Sequence, residues 1–357
     1  MQLKGKIDSI LRLIRKNAVA SALFALAAAF LLGLYAFRGI LFVPNREETG
    51  GPSRAVPGVP TLRHPLTGYP VEANPGYPHV YAVMIDHSSD AWPQAGIDKA
   101  FLVIEAPVEA GIPRLEAFFS EETPVPKIGP IRSTRPYFID WADEFDALYT
   151  HVGGSDAALQ KLTTSGTLNL DQFYNGSTFW RSKDRLAPHN VYTSTDLLRS
   201  AWDRITGARK TPVEVLYGSW LFKDGAVLPP DPGISPTIRF TAENYRVRWA
   251  YDPKTNRYGR YQMGLPFSME NGDEVHADNV VVVITNMSVL DTVGHREVRT
   301  IGEGEAVIFR DGEAIQGTWK KPSPSERLRF YDSKGEVVMN AGTTWIEVVP
   351  GRETLTF

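Results

Sequence analysis

From Asn17 to Phe37 the chain carries no charged residue, reading NAVASALFALAAAFLLGLYAF. At 1.5 Å of rise per residue, about 20 apolar residues in a helix cross the hydrocarbon core of a bilayer. An amphipathic soluble helix would keep a polar face, and this stretch has none. A cleavable signal has a shorter apolar core and ends in small residues. Here Phe30, Leu31, Leu32, Leu34, Tyr35 and Phe37 fill the outer end. The pattern predicts an uncleaved transmembrane signal-anchor over residues 17–37. Residues 1–16 form a basic segment with Lys4, Lys6, Arg12, Arg15 and Lys16, whereas only Arg38 and Arg46 closely follow the span. This bias places the N-terminus in the cytoplasm and the rest outside, as a single-pass protein of the cell membrane. Leu3, Ile7, Ile10, Leu11 and Ile14 recur at helical spacing and fit a short helix on the inner leaflet.

Residues 38–77 are rich in Pro and Gly and read as an extended tether. Beyond it the pattern divides in two. Residues 78–218 mix periods. HVYAVMID (79–86), KAFLVIEAPVE (99–109) and RLEAFFSE (114–121) read as buried strands. TRPYFIDWADEFDALYTHV (134–152) starts as a helix, with Tyr137, Trp141 and Phe145 on one face, and ends as a strand. Gly153-Gly154-Ser155 then opens a second helix with Ser155 as N-cap. A third helix covers about Thr195 to Ile205. In residues 219–357, short β-type runs alternate with turn signals: Asp224-Gly225, Pro253 to Asn256, Asn271-Gly272, Asp311-Gly312 and Ser333 to Gly335. Such pairs read as hairpins. The predicted fold is an α/β domain with a mixed sheet and helices, followed by a mostly antiparallel β domain.

Composition narrows the function. The 357 residues have the hydrophobic (43%) and charged (22%) fractions of a globular protein. A net charge of −3, with no basic patch interleaved with aromatics, speaks against nucleic acid as a partner. The absence of cysteine removes disulfides, thiolate metal sites, cysteine nucleophiles and lipid attachment through cysteine. HExxH, P-loop and GxGxxG patterns are missing, so neither metal ligands nor a cofactor are assigned.

The polar residues of the first unit gather near strand ends. Arg132, Ser133 and Arg135 stand at the mouth of a helix and suit a fork for phosphate or carboxylate. The alternative is that the arginines pair with Asp140, Asp143 or Glu144. His151 leads into Gly153, Gly154 and Ser155, where backbone N–H groups could line an anion pocket. The same turn approaches a nucleophile elbow, with Asp171 and His189 following in triad order, or is a helix cap alone. Arg181 with His189 and Asn190 suits a fixed loop or a proton-handling pair. Asp86, Glu105 and Glu109 lie near the ends of the first two strands. Glu105 sits in an apolar run and needs a cationic partner, for which Arg114 is the obvious choice.

MID (84–86), PQAG (93–96), IE (104–105), VEAGIPR (108–114), IGPIRSTRPYF (128–138), HVGGS (151–155) and APHN (187–190) follow one another in an order that resembles the YerB-like family of bacterial surface proteins. GTWKK (317–321), FYD (330–332) and NAGTTWIEVVP (340–350) extend the resemblance into the second unit. It implies two domains and membrane association, often through a lipid, but no reaction. This chain departs from the family pattern at His87, where Asn is frequent, and at Ala110 and Pro113, within a stretch usually reading EGG-x-TR.

Three functional expectations follow. In the first, the pocket with Arg114, Arg132, Ser133, Arg135, Gly153, Gly154, Ser155, Arg181 and Asn190 binds an anionic group of a cell-wall polymer, a precursor or an envelope protein. In the second, the same pocket belongs to a hydrolase or a phosphoryl or glycosyl transferase, with Asp86, Glu105, Glu109, Ser155, His151 or His189 handling the chemistry. In the third, the arginine–carboxylate network is structural and the β domain is an adaptor surface, with Trp319 and Trp345 as contact or core residues. The lipid bilayer is a partner through residues 17–37 in all three.

Overall fold

The computed structural model describes residues 62–208, 217–225, 232–240 and 243–357. The expected basic segment, transmembrane anchor and first part of the tether lie outside them. Among the described residues no helix is long and apolar enough to cross a membrane.

Continuous apolar runs form the centre. Strands β1 (Val80–Ile85), β2 (Leu102–Pro107) and β3 (Pro113–Ser120) are buried at every position, as strands covered on both faces must be. They are joined by β4 (Leu148–His151) and β5 (Leu168–Asp171). The C-terminal half supplies two antiparallel sets. One is β6 (Thr237–Arg239), β7 (Arg246–Asp252) and β8 (Arg257–Gln262). The other comprises β9 (Asn279–Ile284), β10 (Gly302–Arg310), β11 (Glu313–Lys321), β12 (Arg329–Asp332) and β13 (Gly335–Glu336). Last come β14 (Thr344–Val349) and β15 (Leu355–Thr356).

An 11-stranded mixed sheet runs β13-β12-β11-β10-β9-β14-β2-β3-β1-β4-β5. β14 lies parallel between β2 and β9, so strands from both sides of the expected 218/219 boundary share one sheet. A second, antiparallel sheet holds β8, β7, β6 and β15 in that order, with the short strands Leu265–Pro266 and His276–Ala277 on β8. The turns at Pro253–Asn256, Asp311-Gly312 and Ser333-Lys334 close hairpins as their sequences predict. Before Asp224-Gly225, Phe222–Lys223 pairs in parallel with Met339–Asn340.

Three helices flank the large sheet among the described residues. α1 (Pro136–Asp143) has proline at its first turn and buries Tyr137, Phe138 and Trp141. α2 (Asp156–Thr164) is capped by Ser155, whose side chain accepts from Ala158 N. α3 (Thr195–Gly207) is capped by Ser194 and buries Leu198, Ala201 and Trp202. The sheet thus separates two cores. On one face Val83, Val103 and Leu115 meet Trp202 of α3 and Ile238, Val247, Trp249 and Tyr258 of the antiparallel sheet. On the other, Met84, Ile104 and Phe118 meet α1 and α2. Trp319 and Trp345 are both core residues, at 1% and 0% exposure. The described end of the expected tether is also packed: Leu66 enters the core, and Thr67 O accepts from Gly342 N at 2.7 Å.

Glu116 on β3 is buried between Met84 and Ile104 of the adjacent strands, and neither carboxyl oxygen has a hydrogen-bond partner. Burial, reinforced by Glu144, Asp143 and Asp140, pushes its pKa well above the usual value, so the fold holds it as the neutral acid. Asp143 moves the same way, to about 6, mainly by burial. Acids with raised folded-state pKa values stabilise the fold at low pH and withdraw that stability as pH rises through the folded value. Each such group makes unfolding easier by about 1.4 kcal/mol per pH unit within its window. We therefore expect Glu116→Gln to raise the denaturant midpoint at pH 7.5 and to match wild type at pH 4. Equal midpoints at both pH values would show that Glu116 is not held neutral.

Candidate functional site

A strap of chain over Gly129–Thr134 builds the site. Pro130 O accepts from Asp86 N, and Arg132 N donates to Met84 O, so the strap extends the sheet beyond β1. On its other side Val152 N donates to Arg132 O and Thr134 N to Gly153 O. This close approach explains the glycine pair. A Cβ on Gly154 would lie 2.6 Å from Thr134 Cγ2, and Gly153 has φ +58°. The backbone N–H groups expected to face an anion have other work. Gly153 N donates to Asp171 Oδ1 at 3.0 Å and Ser155 N to Thr134 O.

Asp86, the first residue after β1, is the hub. Its Oδ1 accepts from Ser88 N (3.0 Å) and Ser88 Oγ (2.8 Å). Its Oδ2 meets His189 Nδ1 at 2.7 Å and Arg132 Nε at 3.4 Å. The carboxylate is nearly buried, whereas the Arg132 and His189 side chains are 29% and 18% exposed. Arg132 is therefore held by one edge, and no acceptor among the described residues takes its two Nη groups. With Nδ1 of His189 engaged by Asp86, Nε2 is directed away from the hub, 3.9 Å from the exposed Asp90. The loop carrying His189 is fastened by Arg185, whose guanidinium donates to the carbonyls of Asp90, Trp92 and Pro93. Arg181 donates to Asn190 Oδ1, and Asn190 Nδ2 to Ser182 O, so this pair shapes the loop.

Two further arginines stand behind Arg132. Arg114 donates to Ser133 O at 2.8 Å and approaches Ser133 Oγ at 3.3 Å. Arg135 makes a bidentate pair with Glu109 and donates to Thr134 O. Burial, and after it the charge of Arg135, bring the Arg114 pKa down to about 10. Burial alone would raise Glu109, but its bonds to Arg135 and that residue's charge outweigh it, and its pKa lies below the usual value. Neither Arg132 nor Arg135 pairs with Asp140, Asp143 or Glu144; their partners are Asp86 and Glu109. Asp140 pairs with Lys161, and Glu144 with Arg327 and Lys321.

Other expected members lie elsewhere. His151 is buried, with Nδ1 2.9 Å from Gly153 O and Nε2 2.7 Å from Asn169 Oδ1. Ser155 serves as the cap of α2, and Asp171 binds the backbone of residues 153 and 173. Ser155, Asp171 and His189 therefore do not form a triad. Glu105 faces the opposite side of the sheet and pairs at 2.9 Å with Arg260 of β8, not with Arg114. Glu347 lies directly across from it on β14. Burial raises both carboxyls; Glu347 is pushed well above the usual range by burial and the Glu105 charge, whereas the charge and hydrogen bond of Arg260 draw Glu105 back down. His87 joins this group, 3.6 Å from Glu105. Its Nδ1 accepts from Trp92 Nε1 and Gln94 Nε2, and burial followed by the Arg260 charge holds it neutral.

Ser88, Arg185 and Arg260 escaped the sequence reading. Each left a signal. Ser88 follows Asp86 by two residues, the spacing of an Asx turn. Arg260 alternates with Tyr258 and Gln262, which places it on the inward face of β8. Among the described residues, no cluster of His, Asp and Glu suits a metal.

Residues 66–207 match the N-terminal domain, and residues 236–346 the C-terminal domain, of the family described as "Protein of unknown function (DUF3048)". "Putative lipoprotein YerB" of Bacillus subtilis (strain 168) is 29% identical over 293 residues, covering 81% of this chain and 86% of that protein. The crystal structure of the YerB protein from Bacillus subtilis superposes with a TM-score of 0.73 at 28% identity, covering 83% of this chain and 99% of the other.

The loop that presents Glu109 contains Ala110 at φ +56°. A side chain in the left-handed region costs about 1 kcal/mol. Ala110→Gly is expected to raise the unfolding free energy by about that amount in urea titration. A loss of stability would show that contacts of the Ala110 methyl outweigh the backbone cost.

Proposed function

This chain belongs to the two-domain DUF3048 family, and on that footing we propose that it is a membrane-associated, extracytoplasmic protein of the bacterial envelope that holds an anionic ligand at Arg132. The YerB relative bears the name "Putative lipoprotein YerB", which supports the compartment. Without cysteine this chain cannot carry that lipid, and residues 17–37 would supply the anchor instead.

The observation that carries the ligand reading is the posture of Arg132. Asp86 fixes its Nε edge, and the Nη groups remain for a ligand. A guanidinium presented in this way suits the paired oxygens of a phosphate or carboxylate. Arg114 and Arg135 add positive potential from behind, and Ser133 lies between them. A wall polymer, an anionic precursor and an acidic envelope protein all offer the required group.

A second reading rests on a separate observation. Asp86 holds His189 by Nδ1 and leaves Nε2 as the available base, the relationship used in general acid–base catalysis. With Arg132 adjacent, water could be activated against an anionic ester. Ser88 is not placed as a nucleophile for this dyad, since its hydroxyl bonds Asp86 and approaches Nδ1 rather than Nε2.

The test is calorimetric titration of the full chain in nonionic detergent with inorganic pyrophosphate and with an anionic wall-polymer fraction. Arg132→Ala is expected to weaken binding by about tenfold or more, equivalent to about 1.4 kcal/mol, and Arg132→Lys to recover only part. Unchanged affinity for both probes in Arg132→Ala would remove the reading. Turnover of a bound ester that is lost in His189→Ala, with affinity kept, would establish the second reading.

A further inference from the structure

The outer face of the antiparallel sheet carries a group of arginines far along the chain from Arg132. On β6, Ile238 points into the core and Thr237 and Arg239 point outward; on β7, Val247 and Trp249 point inward and Arg246 and Arg248 outward. The strand register sets the outward residues in two rows. Thr356, Thr237, Arg248 and Tyr261 follow one another across β15, β6, β7 and β8. Arg239 and Arg246 face each other directly in the neighbouring row. Successive outward residues along a strand are about 7 Å apart.

These residues, with Gly264, line a groove of about 430 Å³. Among the described residues no aspartate or glutamate lines it. Arg246 is steadied by Glu243 at 2.8 Å, outside the lining. No acidic partner among the described residues meets Arg239 or Arg248. Like charges placed directly opposite on adjacent strands weaken a sheet. An arrangement that keeps Arg239 against Arg246, with Arg248 on the same face, gains from an anion bound between them. Local breaches of such rules are expected where a protein binds something.

We propose that this groove is a phosphate-binding site, engaging phosphate esters of an anionic chain or of lipid headgroups through Arg239, Arg246 and Arg248. The threonine hydroxyls and the Tyr261 phenol supply neutral hydrogen-bonding groups beside the guanidiniums. A carboxylate ligand would satisfy one arginine. Two rows of guanidiniums suit successive phosphates, each with several acceptor oxygens. The site is independent of Arg132 and does not depend on the reading given for it.

The experiment uses the full chain in nonionic detergent, in an Arg132→Ala background so that the other arginine site contributes least. Inorganic polyphosphate is the soluble probe. Mixed micelles containing phosphatidylglycerol, compared with phosphatidylcholine, are the lipid probe. Arg239→Ala combined with Arg248→Ala is expected to weaken polyphosphate binding by about tenfold or more and to reduce the salt slope by about two. The unfolding midpoint without ligand should stay the same or rise, because the variant removes the like-charge pair. Loss of phosphatidylglycerol binding without any polyphosphate binding would support the site with a lipid headgroup as its source. The proposal is overturned if the double variant binds both probes as its parent does, or if the parent binds neither. If the double variant unfolds early, Arg248→Gln alone is read by the same titrations, with the same two outcomes.

Discussion

The ion pair between Arg260 and Glu105 is the constraint around which the two halves of the fold are arranged. Neither side chain has any solvent exposure. A buried guanidinium requires a carboxylate, and the carboxylate requires a strand facing it from another layer. Here β8 of the antiparallel sheet supplies the cation, and β2 and β14 of the large sheet supply Glu105 and Glu347; burial and the Glu105 charge push the Glu347 carboxyl toward the neutral acid. Removing one member leaves an uncompensated buried charge, a loss of about 3–5 kcal/mol. The rings of Phe267 and Trp345 lie 4.2 and 5.0 Å from the guanidinium carbon, and Trp249 Nε1 donates to Glu347, so aromatic contacts complete the enclosure.

This buried group and the surface site are one residue apart. His87 turns inward to Arg260 and Glu105, while Asp86 turns to His189 and Arg132. Their side chains leave in different directions just beyond the end of β1. The residue that orients the exposed arginine is thus seated next to one fixed by the interior. That rigidity matters for a site whose affinity depends on a guanidinium held by one edge. Arg185 secures the other wall by tying the His189 loop to the carbonyls that follow Ser88.

Much of the local architecture was legible in the chain itself. The apolar runs at β1, β2 and β3, the Ser155 cap and the Asp311-Gly312 hairpin depend on interactions between near neighbours. Propensity and period therefore report them directly. The site was half legible. Asp86, Arg132 and His189 stand out as polar residues at the ends of apolar runs, and they do converge. The glycine pair stands out in the sequence, and the fold adds a packing reason for it: a Cβ on Gly154 would collide with Thr134, while Gly153 N donates to Asp171.

What the sequence determined by itself is the set of elements, the apolar segment over residues 17–37 and the presence of charges that could not remain alone in apolar runs. Which partner each charge took was decided only by tertiary structure. Glu105 lay nine residues from Arg114 but found Arg260, 155 positions away, because consecutive strands can be joined by any connection while facing layers must match in charge. The same holds for the large sheet. β14 enters beside β2 from the far end of the chain, and no periodic pattern within either segment encodes that neighbour. Period fixes the face on which a side chain stands; only the folded layers fix what it meets.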